Sequence, residues 1–195
     1  ALLVAGMAAF AERGPGGATV GEIAGRAHVA TGTFYNHFPS IAALTAAITD
    51  ELAAGVEIAS DVLAEIEGDP AVRVAIGTRQ LLSLARDDPP TARAFVALVA
   101  TIPELRTRIR RIIRSAVVDG IDAGRFRRAS ASAAADALLG AVIQWMRSRL
   151  ADEHGDEPED ELIAIALDIV GLPAIDAAEV IALAHTHDPA TAVTA

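Results

Sequence analysis

Apolar residues in this chain recur every three or four positions, and Pro or Gly interrupts them at intervals. Ala134, Leu138, Ala141, Val142, Trp145 and Met146 mark one wide stripe, and Leu162, Ile163, Ala166, Ile169 and Val170 another. That period is the signature of amphipathic helices. The stops fall at Gly14-Pro15-Gly16-Gly17, Pro39, Gly68-Asp69-Pro70, Asp88-Pro89-Pro90, Pro103, Gly120 with Gly124, Gly155, and Gly171 with Pro173, where backbone donors are lost or helical dihedrals disfavoured. No strand-like alternation survives between them. The pattern predicts an all-α chain of about ten helices: a short trio before Pro39, a long helix from Ser40 to about Glu67, then helices near 70–87, 90–101, 103–123, 130–153, 159–170 and 174–185. Helix length and composition change at the helix that begins at Ser40, so two domains are expected, 1–45 and 46–195.

The short trio carries the chemistry. Thr19-Val20-Gly21-Glu22 reads as a capping box: the Thr19 hydroxyl accepts from the amide three residues on, and Glu22 reaches back to the cap. Val20, Ile23, Ala24 and Ala27 give the helix that follows a buried face, and His28, Val29 and Ala30 redirect the chain. A second short helix begins near Thr31. Phe34 and Phe38, four apart, form its inward face, while Thr31, Gly32, Thr33, Tyr35, Asn36 and His37 are left to point outward. Two short helices joined by a tight turn, the second studded with small hydrogen-bonding residues, form a helix-turn-helix whose second helix enters the DNA major groove. Small residues at Thr31, Gly32 and Thr33 let the helix approach bases and phosphates closely. The structural alternative is a helical corner with a surface aromatic at Tyr35 and an ordinary cap at His37.

The stretches Phe10-Ala11-Glu12-Arg13-Gly14, Thr19-Val20-Gly21-Glu22-Ile23-Ala24, Val29-Ala30-Thr31-Gly32-Thr33-Phe34-Tyr35-Asn36-His37-Phe38-Pro39-Ser40 and Ala43-Leu44 together resemble the N-terminal domain of TetR-family regulators. The resemblance covers about the first fifty residues. It implies a three-helix DNA-binding domain followed by a larger helical ligand-sensing and dimerisation domain. It also implies that Thr31, Gly32, Thr33 and Asn36 face base edges or nearby phosphates, that Tyr35 and His37 grip the backbone, and that Thr19 and Val20 lie near a phosphate. Two positions depart from the family pattern: Ala30 stands where Ser is usual, and Ile41 where a phosphate-binding Lys is usual. Each loss weakens backbone affinity.

Beyond Ser40 the resemblance is thinner. In TetR-like proteins the last two long helices pair with their copies in a second subunit, so Leu138, Val142, Trp145, Leu162, Ala166 and Ile169 are the expected dimer contacts; packing within one chain is the alternative. Leu63, Ile66, Ile76, Leu81, Leu84, Phe95, Leu98, Val99, Ile102, Leu105 and Ile109 populate helices that could enclose an apolar cavity. In the family the ligand pocket lies among these helices, and the expected lining is Thr78, Phe95, Leu98, Thr101, Gln144 and Trp145, around an apolar or amphipathic small-molecule effector. Close packing is the competing fate of these side chains.

Composition and charge change this picture in two ways. With 52% hydrophobic residues the 195-residue chain can bury a core, and without cysteine it has neither disulfides nor thiolate metal sites; an intracellular, cytoplasmic protein fits, with no membrane span expected. The formal net charge of −10 opposes non-specific DNA binding. Every basic residue is Arg, and the first fifty residues hold only Arg13 and Arg26 against Glu12, Glu22 and Asp50. DNA contact must therefore lean on hydroxyls, amides and helix termini, with help expected from residues upstream of Ala1. Arg106, Arg108, Arg110, Arg111, Arg114, Arg125, Arg127 and Arg128 gather half of the basic residues. Arg106, Arg110 and Arg114 fall four apart, opposite Leu105, Ile109, Ile112 and Ile113, as a solvated face does; they could also pair with the acidic run Asp152, Glu153, Asp156, Glu157, Glu159, Asp160 and Glu161, which reads as an exposed loop.

No Gly-rich phosphate loop, nucleophile elbow or His-Glu-x-x-His pattern occurs, so neither enzyme chemistry nor a cofactor is expected. His185-Thr186-His187-Asp188 resembles a short metal-binding run but lacks a third ligand at compelling spacing. The helix-turn-helix points to a sequence-specific DNA-binding transcriptional regulator, and the resemblance implies a ligand-responsive repressor acting as a homodimer on a palindromic double-stranded operator. The alternative is a helical small-molecule carrier or interaction protein with a weakened DNA-binding head.

Overall fold

The protein is described by a computed structural model covering residues 1–66, 68–127, 130–153 and 158–186, with the Ile66 side chain not included. Ten α-helices and no strand occur among these residues: α1 (Leu2–Arg13), α2 (Val20–Arg26), α3 (Thr31–His37), α4 (Ile41–Ile66), α5 (Pro70–Asp87), α6 (Pro89–Thr101), α7 (Pro103–Asp122), α8 (Ala131–Leu150), α9 (Glu159–Val170) and α10 (Ala174–Thr186). The helices start where local chemistry says they should. Asp69 caps α5 by accepting from the Ala71 amide at 2.9 Å, and Asp88 caps α6 by accepting from Thr91 at 3.2 Å, each followed by Pro at the first helical position. Ser130 caps α8 in the same way. Helix α9 ends on Gly171 in the left-handed conformation, φ 92°, with the Leu172 amide closing back on Leu167.

The larger part of the molecule is built round α5, which packs against α4, α6, α7, α8, α9 and α10. Val72, Ala75, Ile76 and Leu82 on α5 are fully buried. The head is seated on this body through α1, whose widest contact is with α6. At Gly6 on α1 a Cβ would come within 2.8 Å of Leu44 Cδ2 and 2.9 Å of Ile48 Cδ1, so α1 and α4 approach closely there. The expected 45/46 boundary falls inside α4. Its N-terminal half supports the head and its C-terminal half belongs to the body, with a length of about 39 Å at 1.5 Å per residue.

Candidate DNA interface and ligand cavity

Helices α2 and α3 form the helix-turn-helix. Thr19 Oγ1 accepts from the Glu22 amide at 3.3 Å, one half of the expected capping box. The other half is replaced: the Glu22 carboxylate turns to Arg26 Nη2 at 3.2 Å and to Arg13 Nε at 3.5 Å, because two guanidiniums outcompete one amide for it. The turn is closed by His28 at φ 55°, with its amide on Gly25 O at 3.1 Å and the Val29 amide on Ala24 O at 3.0 Å. This is a Schellman closure with His where Gly is usual.

On α3 the side chains divide as their spacing requires. Phe34 is fully buried, edge-on to Tyr35 with centroids 5.5 Å apart and 6.0 Å from Phe38. Tyr35 is 55% exposed. Thr31, Gly32, Asn36 and His37 are exposed and Thr33 half-buried; at the start of α2, Thr19 is exposed and Val20 half-buried. A Cβ built at Gly32 would meet nothing within 4 Å, so the chain's own packing does not call for glycine there. Ala30, at the N-cap of α3, supplies no side-chain acceptor.

Electrostatically the head is closed upon itself. Arg26 donates through Nη1 to Glu12 Oε1 at 2.9 Å, and its Nη2 also reaches Glu12 Oε2, clamping α2 to α1. The hydrogen bond from Arg26 holds the Glu12 carboxyl below its usual range, and the same bond raises the Arg26 guanidinium. Both arginines of the first fifty residues therefore face carboxylates. Half-buried Ile41 packs against the core, so it replaces a family cation with apolar contact.

In the body, α4, α5, α7 and α8 line a cavity of about 370 Å³, within the size range of small-molecule sites and open to solvent where Asp61, Ser115 and Asp119 are exposed. Its walls are mostly branched and apolar, with Val56, Leu63, Leu81, Leu84, Ile109, Ile112, Ile113, Leu138 and Val142; Ser60, Asp61, Arg73, Thr78, Gln80, Ser115 and Asp119 add polar groups. Of the six residues expected to line a pocket, only Thr78 does. Phe95 and Leu98 are fully buried on α6, whose apolar surface is taken up by α1, α5, α7 and α8. Thr101 is exposed and donates to its own helix at Ala97 O, while Gln144 Nε2 bonds Ser148 and Trp145 lies half-buried against the core away from the cavity. The sequence reading missed Arg73 and Asp119, which are 46 positions apart yet joined at 3.3 Å across α5 and α7.

The expected dimer stripe also divides. Leu138, Val142, Leu162 and Ala166 are buried by the chain's own helices, the first two against the cavity, so they have no surface left for a partner. Trp145 and Ile169 remain half-exposed. The outer face of α8 instead carries Ala133, Ala137, Gly140 and Gln144, and that of α9 carries Ile165, 50% exposed, and Asp168.

The α7 arginines pair with neighbours other than the acidic run. Arg108 bridges Asp50 and Glu57 on α4, Arg110 bonds Asp136 on α8, and Arg114 reaches Ser132. Glu159 takes Arg86 instead, and Glu159, Asp160 and Glu161 form the first turn of α9 rather than a loop. His185 lies between Arg79 at 3.3 Å and Asp160 at 2.9 Å. Among the described residues no group of His, Cys, Asp and Glu could hold a metal ion, and no helix is long and apolar enough to cross a membrane. Arg128, His154, Asp156, Glu157, His187 and Asp188 lie outside the described residues.

Comparison with known proteins agrees with this geometry. The family model for bacterial regulatory proteins of the tetR family matches residues 2–48, and that for the tetracyclin repressor-like C-terminal domain matches residues 69–183. Among curated proteins no sequence matches. Among solved structures, RolR without ligand is 28% identical, covering 93% of this chain and 95% of that chain with a TM-score of 0.68. RolR in complex with resorcinol is also 28% identical, covering 92% and 90%, TM-score 0.65. A gamma-butyrolactone receptor, an ArpA-like protein, reaches a TM-score of 0.75 at 20% identity over 95% and 92%, a likeness of fold. With its exposed α3 and its helical body both matched, the chain belongs to the TetR family of DNA-binding, helix-turn-helix transcription regulators.

Proposed function

We propose that the protein is a ligand-responsive repressor that binds a palindromic operator as a homodimer, without enzymatic activity. The observation that carries the reading is the outward face of α3, where Thr31, Gly32, Tyr35 and Asn36 are exposed over a buried Phe34. Thr31, Gly32, Thr33 and Asn36 read base edges or nearby phosphates, Tyr35 and His37 hold the backbone, and Thr19 and Val20 meet a phosphate. The small residues Ala133, Ala137 and Gly140 on the outer face of α8, beside exposed Ile165 of α9, support a close two-fold pairing that sets two recognition helices one helical turn of DNA apart, about 34–36 Å. The cavity takes an apolar or amphipathic effector, as RolR takes resorcinol. Because α4 lines the cavity at one end and carries Leu44 and Ile48 under the head at the other, a ligand that shifts α4 alters head spacing. Effector and operator then oppose one another reciprocally.

A second reading, a ligand carrier with a weakened head, is favoured by one observation: Arg13 and Arg26 both face carboxylates. Fluorescence-anisotropy titration against duplexes from the gene's own upstream region, at low and high salt, separates the two. Saturable, sequence-selective binding that weakens with salt supports the regulator. Its absence, with small-molecule binding retained, supports the carrier.

A further inference from the structure

A second groove, of about 400 Å³, lies between α6, α7 and α8. Helix α8 turns Leu138 and Val142 to the cavity described above and Leu139, Gly140 and Ile143 to this groove. Where α7 meets α8, arginines of α7 find acceptors on α8 at successive turns. Arg114 Nε reaches Ser132 Oγ at 3.3 Å, and Arg110 Nη2 donates to Asp136 Oδ2 at 3.0 Å. Each step moves four residues toward the start of α7 and four toward the end of α8, the spacing of neighbours on one helix face. The next step sets Arg106 opposite Gly140, which has no side-chain acceptor, and a Cβ built there would meet nothing within 4 Å. Arg106 and Gly140 both line the groove, as this register requires.

The place left open in this row is cationic. Arg106 keeps only a 3.5 Å approach to Ala100 O. Arg147 borders the same groove from about two turns further along α8, roughly 10 Å from Gly140 at 1.5 Å per residue. Among the described residues its side chain meets neither a carboxylate nor another hydrogen-bond partner. In a chain of net charge −10, three guanidiniums thus line the groove against one carboxylate, Asp136, which Arg110 already holds. The floor is apolar, with Val99, Leu139 and Ile143 buried. An anion at Gly140 completes the row. A carboxylate neutralises one of the two unpaired guanidiniums, whereas a phosphate monoester, with a charge of roughly −1.5 to −2 at neutral pH and three acceptor oxygens, answers both. We propose that this groove is a second ligand site, separate from the effector cavity, for an organic phosphate monoester. Its phosphate stands opposite Gly140 between Arg106 and Arg147, and its apolar body lies on Val99, Leu139 and Ile143. Because Gly140 also borders the two-fold contact proposed above, a carboxylate from a second copy of the chain is the rival occupant.

The test is isothermal titration calorimetry of the full chain at neutral pH with phenyl phosphate, inorganic phosphate, benzoate and benzyl alcohol. Phenyl phosphate is expected to bind at least about tenfold more tightly than each of the others, the worth of one charge-assisted hydrogen bond. Arg106→Gln and Arg147→Gln, both at exposed side chains with no ion pair to lose, should each weaken it about tenfold or more and leave the thermal midpoint unchanged. Gly140→Asp supplies the missing carboxylate within the chain and should abolish binding. Phenyl phosphate binding no tighter than benzyl alcohol, or undiminished in either arginine variant or in Gly140→Asp, overturns the site. Benzoate or inorganic phosphate binding as tightly as phenyl phosphate overturns the ligand class. A parent that ignores phenyl phosphate, together with an Arg106→Gln variant that no longer dimerises by light scattering, gives the place to a second copy's carboxylate and overturns the proposal.

Discussion

His28 and Gly32 stand four residues apart in the helix-turn-helix, and each has the residue type that the other's position would suit on folding grounds alone. His28 holds φ 55°, a conformation that costs a side-chain-bearing residue about 1–2 kcal/mol. His28→Gly should therefore raise stability by about 1 kcal/mol, read from the urea midpoint, with no loss of helix. Gly32 sits inside a helix with open space at its Cβ, where glycine costs about 1 kcal/mol relative to alanine. Gly32→Leu should leave stability equal or higher while abolishing operator binding by anisotropy, since the added bulk meets DNA rather than protein. A fall in stability with DNA affinity intact would refute a DNA-facing role for Gly32. At this scale the i, i+4 pairing of Phe34 with Phe38 was legible in the sequence, because both residues lie on one short helix. The fate of Glu22 was not, because Arg13 competes for it from another helix.

Salt-linked clamps decide how the elements of the head behave. Glu12 on α1 and Arg26 on α2 hold each other, and the bond lowers the Glu12 carboxyl below its ordinary value. The unfolded chain therefore binds more protons as pH falls through the carboxylate range. The stability from this pair is present above the ordinary carboxyl pKa and is lost as pH falls through the lowered folded value. Urea midpoints measured from neutral to acid pH should decline less steeply in Glu12→Gln than in the parent. The same substitution releases Arg26 from its main carboxylate, so operator affinity should rise and the salt dependence steepen, by up to about one phosphate contact. Unchanged affinity and salt slope would mean that Arg26 serves the fold alone. The helix limits themselves were largely readable, since Asp69, Asp88 and Ser130 cap their own helices and Pro70, Pro89 and Pro103 open theirs.

For the whole molecule, the outer faces of α8 and α9 carry the decisive prediction. Ile165, half exposed on α9, should lie within the two-fold contact, and Ile165→Arg should convert a dimer to a monomer by light scattering while leaving the helical circular dichroism unchanged. A monomeric head reads one half-site, so palindrome affinity should fall steeply and half-site affinity little. A variant that remains dimeric would place the contact elsewhere. The inward stripe of Leu138, Val142, Leu162 and Ala166 should behave oppositely: Leu162→Ala, deep in the chain's own core, should cost about 2–5 kcal/mol in stability before it affects association.

The number and order of the helices, the outward face of α3 and the family of the chain were all legible in local sequence patterns. All of these rest on patterns that close within a few residues: caps, proline stops, left-handed turns and the three-to-four-residue period. The packing of the helices settled which stripe is covered from within and which stays exposed. It also decided which side chains meet in the cavity and which carboxylate each arginine finds. Periodicity states that a helix has an apolar face but not which helix lies against it; Arg73 and Asp119 became neighbours only when α5 and α7 packed together.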